Sequence, residues 1–122
     1  MISEVITIDG RDVKVRVSAS LPRLYRAKFQ RDIFCDLRKL QKAKESDEEL
    51  TELDCEVFEN IAYIMARHGD SENTPKDVGE WMDSFNDPLA VYKAFDDILR
   101  LWGMNVQTQS TSKKNIDQPN DK

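Results

Sequence analysis

The spacing of apolar residues predicts an α+β protein that is mostly helical: an N-terminal β-hairpin, then four or five α-helices and a disordered C-terminal tail. Three observations lead there. Two short runs with period-two alternation flank Asp9-Gly10. Later stretches repeat apolar residues at three- and four-residue steps, the spacing of one helix face. From Gln107 onward Ile116 is the only large apolar residue, too little for a packed core. One globular domain is therefore expected over residues 1–103, with 104–122 as a tail.

The hairpin is expected over about residues 4–17. Asp9 and Gly10 both tolerate positive φ, which a tight two-residue turn requires. In the second run Val13, Val15 and Val17 alternate with Lys14 and Arg16, as in a half-buried strand. Two strands alone are marginal, so the hairpin must lie on something. Its own helices are the expected support, although a neighbouring copy would serve equally.

Ser18 or Ser20 can cap the next segment, and Pro22 suits a first helical turn. Leu21, Leu24, Tyr25, Phe29, Ile33, Phe34, Leu37 and Leu40 then form one stripe, predicting a helix to about Lys44 with room for a bend near Gln30. Ser46 is the expected cap of a second helix, with Asp47, Glu48 and Glu49 in its first turn. Its stripe is Leu50, Leu53, Val57, Phe58, Ile61, Ile64 and Met65, and Gly69 is expected to end it in a left-handed cap. Thr74-Pro75 and Asp87-Pro88 read as starts of two further helices. The first carries Val78, Trp81, Met82 and Phe85. The second carries Val91, Tyr92, Phe95, Ile98, Leu99 and Trp102, and Gly103 closes it.

A chain of 122 residues can bury a real core; roughly 65% of its unfolded surface is covered on folding at such a length. No apolar run approaches the ~18 residues needed to span a bilayer, and the N-terminus does not resemble a signal peptide. Cys35 and Cys55 lie far apart without a paired motif, which fits reduced thiols in a cytosolic protein.

Enzyme chemistry finds little footing. His68 is the only histidine, at a predicted helix end, where a capping or dipole role suits it better than that of a base. One His and two distant Cys fall short of a zinc site. The acids of Asp47–Glu59 lack the spacing of a calcium loop, and four scattered glycines make no phosphate loop. Neither cofactor nor metal is expected.

Charge is the informative feature. Residues 11–44 hold eleven Lys/Arg against Asp12, Asp32 and Asp36, a net of +8, whereas residues 45–103 hold sixteen Asp/Glu against Arg67, Lys76, Lys93 and Arg100, a net of −12. Two readings fit. The two sets neutralise each other within one molecule, or the basic helix of one copy meets the acidic helices of the next, head to tail. Candidate contact residues are Arg23, Arg26, Arg31 and Arg38 on the basic side and Glu52, Glu56 and Glu59 on the acidic side. Tyr25, Phe29 and Trp81 fit either a core or an interface. The basic stretch, with Tyr25 and Phe29 interleaved, also allows contact with phosphates. The acidic second half opposes a general nucleic-acid binder.

Particular segments resemble a known family. Leu24-Tyr25-Arg26-Ala27-Lys28-Phe29-Gln30-Arg31-Asp32-Ile33, followed by Asp36-Leu37 and Leu40, is similar to the start of the helical region in tail assembly chaperones of long, non-contractile-tailed phages and prophages of Gram-positive bacteria. Ile61–Ala66, Glu80–Phe85, Ile98–Gly103 and the polar Thr111–Lys114 agree in order, as does Ile6–Gly10. Gln30 departs from the pattern, since Gly is expected there and Gln favours a continuous helix.

The resemblance implies a many-copy, non-catalytic scaffold in the host cytoplasm, absent from the finished virion. It would coat the tape measure protein, keep it soluble and give way to the tail tube protein. It also implies a longer frameshifted product branching near Lys113-Lys114. The alternatives from other classes are a nucleic-acid-binding accessory factor and a small phage or host regulatory adaptor. No membrane partner is expected.

Overall fold

The computed structural model describes residues 1–103; the tail expected from residue 104 lies outside the described residues. Strands β1 (Ile2–Ile8) and β2 (Arg11–Val17) pair antiparallel, with Ile6 opposite Val13 and Glu4 opposite Val15. Asp9 and Gly10 take φ of 58° and 72°, the left-handed pair that a twist-matched two-residue turn needs. Five α-helices follow among the described residues: α1 (Leu21–Phe29), α2 (Ile33–Glu45), α3 (Glu52–Gly69), α4 (Val78–Asp83) and α5 (Phe95–Leu101). The hairpin-plus-helices architecture is thus the one that the apolar spacing predicts.

Several boundaries differ from expectation, each for a local reason. The long first helix is two helices. Gln30 adopts φ 57°, its N–H caps the Arg26 carbonyl, and Asp32 restarts the chain by accepting the backbone N–H groups of Phe34 and Cys35. Ser46 does not begin a helix; it ends α2. Asp47 takes φ 55°, and the Glu48 N–H reaches back to the Ala43 carbonyl, closing α2 with a left-handed turn. The next helix starts at Thr51, whose hydroxyl accepts the Asp54 N–H while the Asp54 carboxylate accepts the Thr51 N–H. This reciprocal pair satisfies two orphan donors at once, which a lone Ser46 cap cannot match. The cap of α4 is Asp77 rather than Thr74. Asp87-Pro88 opens a turn, and α5 follows only after a single 3-10 turn at Tyr92–Ala94.

Helix α3 is the central element. At 18 residues it is about 27 Å long, and from Ile61 to Ala66 every residue is buried. Strand β2 crosses its C-terminal end, with α1 and α2 also packed on it. The crossing explains Gly69. It is the last residue of the helix and no left-handed cap; a β-carbon there would sit 2.5 Å from the Lys14 carbonyl oxygen. Gly103, by contrast, takes φ 76° as expected.

The hairpin rests on helices of its own chain. Asp9 accepts the Asn86 N–H at 2.8 Å, Arg11 stacks 4.0 Å over the Phe85 ring while bonding Ser84, and Glu4 pairs with Arg100 at 3.0 Å. One apolar cluster contains residues of both strands and of all five helices, with Trp81 as the buried member from α4. Three stripe residues nevertheless escape burial: Leu24 is 40% exposed, Phe34 48% and Leu53 47%.

Candidate interaction surfaces

The turn between α1 and α2 builds a polar knot inside the core. Asp36 sits at α2's inward face beside Ile33, Leu37 and Leu40 and is only 2% exposed. The Tyr25 hydroxyl donates to its Oδ2 at 2.8 Å, and Arg31 donates Nε to Oδ2 at 2.9 Å and an NH2 group to Oδ1 at 2.8 Å. Burial alone would push the Asp36 carboxyl up; the Arg31 and Tyr25 hydrogen bonds outweigh it and hold the group below the usual carboxylate range. Burial, reinforced by Asp36, drives the Tyr25 phenol well above its ordinary value.

This knot sorts the candidate contact residues. Arg31 faces its own Asp36, and Tyr25 is wholly buried, so both serve the fold. Phe29 is half-buried with its ring 5.1 Å from that of Tyr25. Trp81 is core, edge-on to Tyr63 and Phe85. Glu59 is partly covered and accepts a hydrogen bond from the Tyr92 hydroxyl.

The remaining candidates are surface groups. Arg23, Arg26 and Arg38 are exposed, and none makes an ion pair among the described residues; Arg38 donates only to the Cys35 sulfur. Glu52 and Glu56 at the start of α3 are likewise exposed and unpaired among the described residues. The ion pairs that form among the described residues are Arg31–Asp36, Lys44–Asp96, Lys93–Asp87 and those of Arg100 with Glu4 and Asp97. Among the described residues most of the basic α1–α2 surface and the acidic start of α3 are thus without ion pairs, although Glu56 acts on Arg31 at longer range.

His68 has a partner that its place in the sequence does not reveal. Its Nε2 meets the Ser18 hydroxyl at 2.8 Å, which ties the end of α3 to the exit of β2. Burial, with help from Arg16, lowers its pKa and favours the neutral ring. Asp36 was the residue most open to discovery from spacing, because it interrupts an apolar stripe at the position between Ile33 and Leu37.

No helix among the described residues is long and apolar enough to cross a membrane. Among the same residues no three His, Cys, Asp or Glu side chains are grouped to hold a metal ion. Compared with protein-family models, curated proteins and solved structures, the chain matches none.

Proposed function

We propose that this chain is a phage tail assembly chaperone that self-associates, coats and solubilises the tape measure protein, and helps recruit tail tube subunits in the host cytoplasm. The observation that carries the reading is a pair of oppositely charged surfaces whose exposed groups make no ion pairs among the described residues. Arg23, Arg26 and Arg38 on one side and Glu52 and Glu56 on the other are left free of intrachain ion pairs among the described residues. Exposed charges of that kind steer and register protein partners more than they stabilise a monomer. The ordered resemblance from Ile6 to Lys114 supplies the identity of those partners.

The test is affinity capture of a tagged copy from phage-producing cells, with partners identified by mass spectrometry. A very long, helix-rich protein recovered with the tail tube subunit is the expected result. Nucleic acid alone, or one small host protein alone, would overturn it. Self-association should also weaken with salt, because exposed pairs are screened over ~10 Å at 0.1 M. A size distribution unchanged between low and high salt would remove charge complementarity as its basis.

A further inference from the structure

Two of the exposed leucines sit in opposite electrostatic settings. Leu24 and Ala27 of α1 and Ile64 of α3 line an open groove of about 490 Å3, edged by Lys28, Arg67, His68 and Ser71. No carboxylate among the described residues lines it. Arg67 is held at the edge by the carbonyls of Ser71 and Thr74, and Lys28 by the Lys76 carbonyl and the rings of Phe29 and Tyr63. Both cations are thus positioned without being neutralised.

The N-terminal end of α3 is the converse. Leu53 projects into solvent there, and Glu49, Glu52 and Glu56 surround it in sequence, all exposed and none in an ion pair among the described residues. An apolar knob with an acidic collar and an apolar groove with a basic edge are complementary in both shape class and charge.

Their placement on α3 selects a symmetry. Leu53 and Ile64 are eleven residues apart, which is three helical turns plus about 20°, so they lie on one side of the helix and about 16 Å apart along it. Head-to-tail growth needs the two patches on different sides of the molecule. Patches on one side are satisfied together by a two-fold axis, which makes the same contact twice and closes.

We infer that two copies of this chain pair through this side of α3, helices antiparallel, with Leu53 of each seated in the Leu24–Ala27–Ile64 groove of the other. Seating Leu53 there brings Glu52 and Glu56, its exposed neighbours in α3, to the edge of the partner's groove. The acidic collar of each copy then lies beside Lys28 and Arg67 of its partner. This inference rests on the self-association in the proposed function and not on any phage partner.

The test uses the full chain with Cys35→Ser and Cys55→Ser, carrying Leu53→Cys and Ala27→Cys together. Leu53 lies at the start of α3, whereas Ala27 lies on α1 at the groove that Ile64 lines about 16 Å further along α3, so a disulfide, which needs Cα atoms within about 7 Å, must join two copies. Mild oxidation and a non-reducing gel should show one band of doubled mass. A ladder of higher multiples would overturn the two-fold arrangement, and monomer alone would overturn the surface itself. In parallel, sedimentation of the native chain should show a dimer whose dissociation constant rises roughly tenfold or more with Leu53→Glu, since that change loses a buried leucine. A dimer indifferent to Leu53→Glu, with an unchanged urea midpoint, would sink the inference. Cross-linked dimers from a chain that captures no tape measure protein would refute the chaperone reading and leave this one standing.

Discussion

Replacing Asp36 by Ala removes the acceptor on which a buried phenol and a guanidinium converge. The Tyr25 hydroxyl, wholly buried, is then left without a partner, at a cost of about 1–3 kcal/mol. Arg31 is 33% exposed and can turn toward water, so the ~3–5 kcal/mol associated with breaking a fully buried pair is discounted to roughly half. Asp36 also stands in the first turn of α2, where a carboxylate contributes about 0.3–1 kcal/mol against the helix dipole. These effects overlap on one group, and a loss of about 3 kcal/mol is expected, a large share of a total that for such a domain is roughly 5–15 kcal/mol. Urea denaturation measures it: the midpoint should fall by about 1–3 M. In a Tyr25→Phe background no hydroxyl is orphaned, so the same substitution should cost about 1–2 kcal/mol less. A loss below about 0.5 kcal/mol, or strict additivity of the two substitutions, would refute the account of Asp36 as the hub of a coupled network.

Three further outcomes follow from the geometry. Gly69→Ala forces a β-carbon against the Lys14 carbonyl, and a thermal melt should show a destabilisation of about 1–3 kcal/mol, as for other overpacked sites. Gln30→Gly relieves a left-handed backbone at φ 57° while giving up an exposed hydrogen bond to Ala27; a gain of roughly 0.5–1 kcal/mol in chemical denaturation is expected. Acid should act in two windows. The folded state lowers the pKa of both His68 and Asp36, so each contributes stability that is full above its unfolded value, about 6.5 and about 3.9, and is lost as pH falls through the folded one. Stability measured from pH 7 to 5 should therefore decline in the native chain, and His68→Gln should flatten that slope.

What was legible in the residues was whatever neighbouring residues decide between themselves. Asp9-Gly10 specifies its turn because only two backbone angles are at stake, and Gly103 ends α5 for the same reason. The alternation of Val13, Val15 and Val17 and the three-and-four spacing of the helices are likewise local, so the order of elements came through. Competition between equally plausible local signals did not. Ser46-x-x-Glu49 and Thr51-x-x-Asp54 both resemble capping boxes; the second forms because α2 runs on and uses Ser46 and Asp47 to close itself. Gln30 has no intrinsic reason to go left-handed, and its conformation lets Arg31 and Tyr25 converge on Asp36.

The candidate surfaces divided along the same line. Sequence determined that the molecule carries segregated charge and enough apolar spacing for one core. Only the tertiary structure decided which of those residues the fold itself consumes. Arg31 and Arg38 are seven residues apart on similar helical spacing, yet one is tied to a buried carboxylate and the other faces water. Leu53 and Val57 belong to the same predicted stripe, yet the first is exposed and the second buried. Periodicity records which side of a helix is apolar, whereas burial depends on how far along that side other elements reach. On α3 the cover from β2, α1 and α2 stops short of Leu53, and that boundary is set by residues distant in the chain.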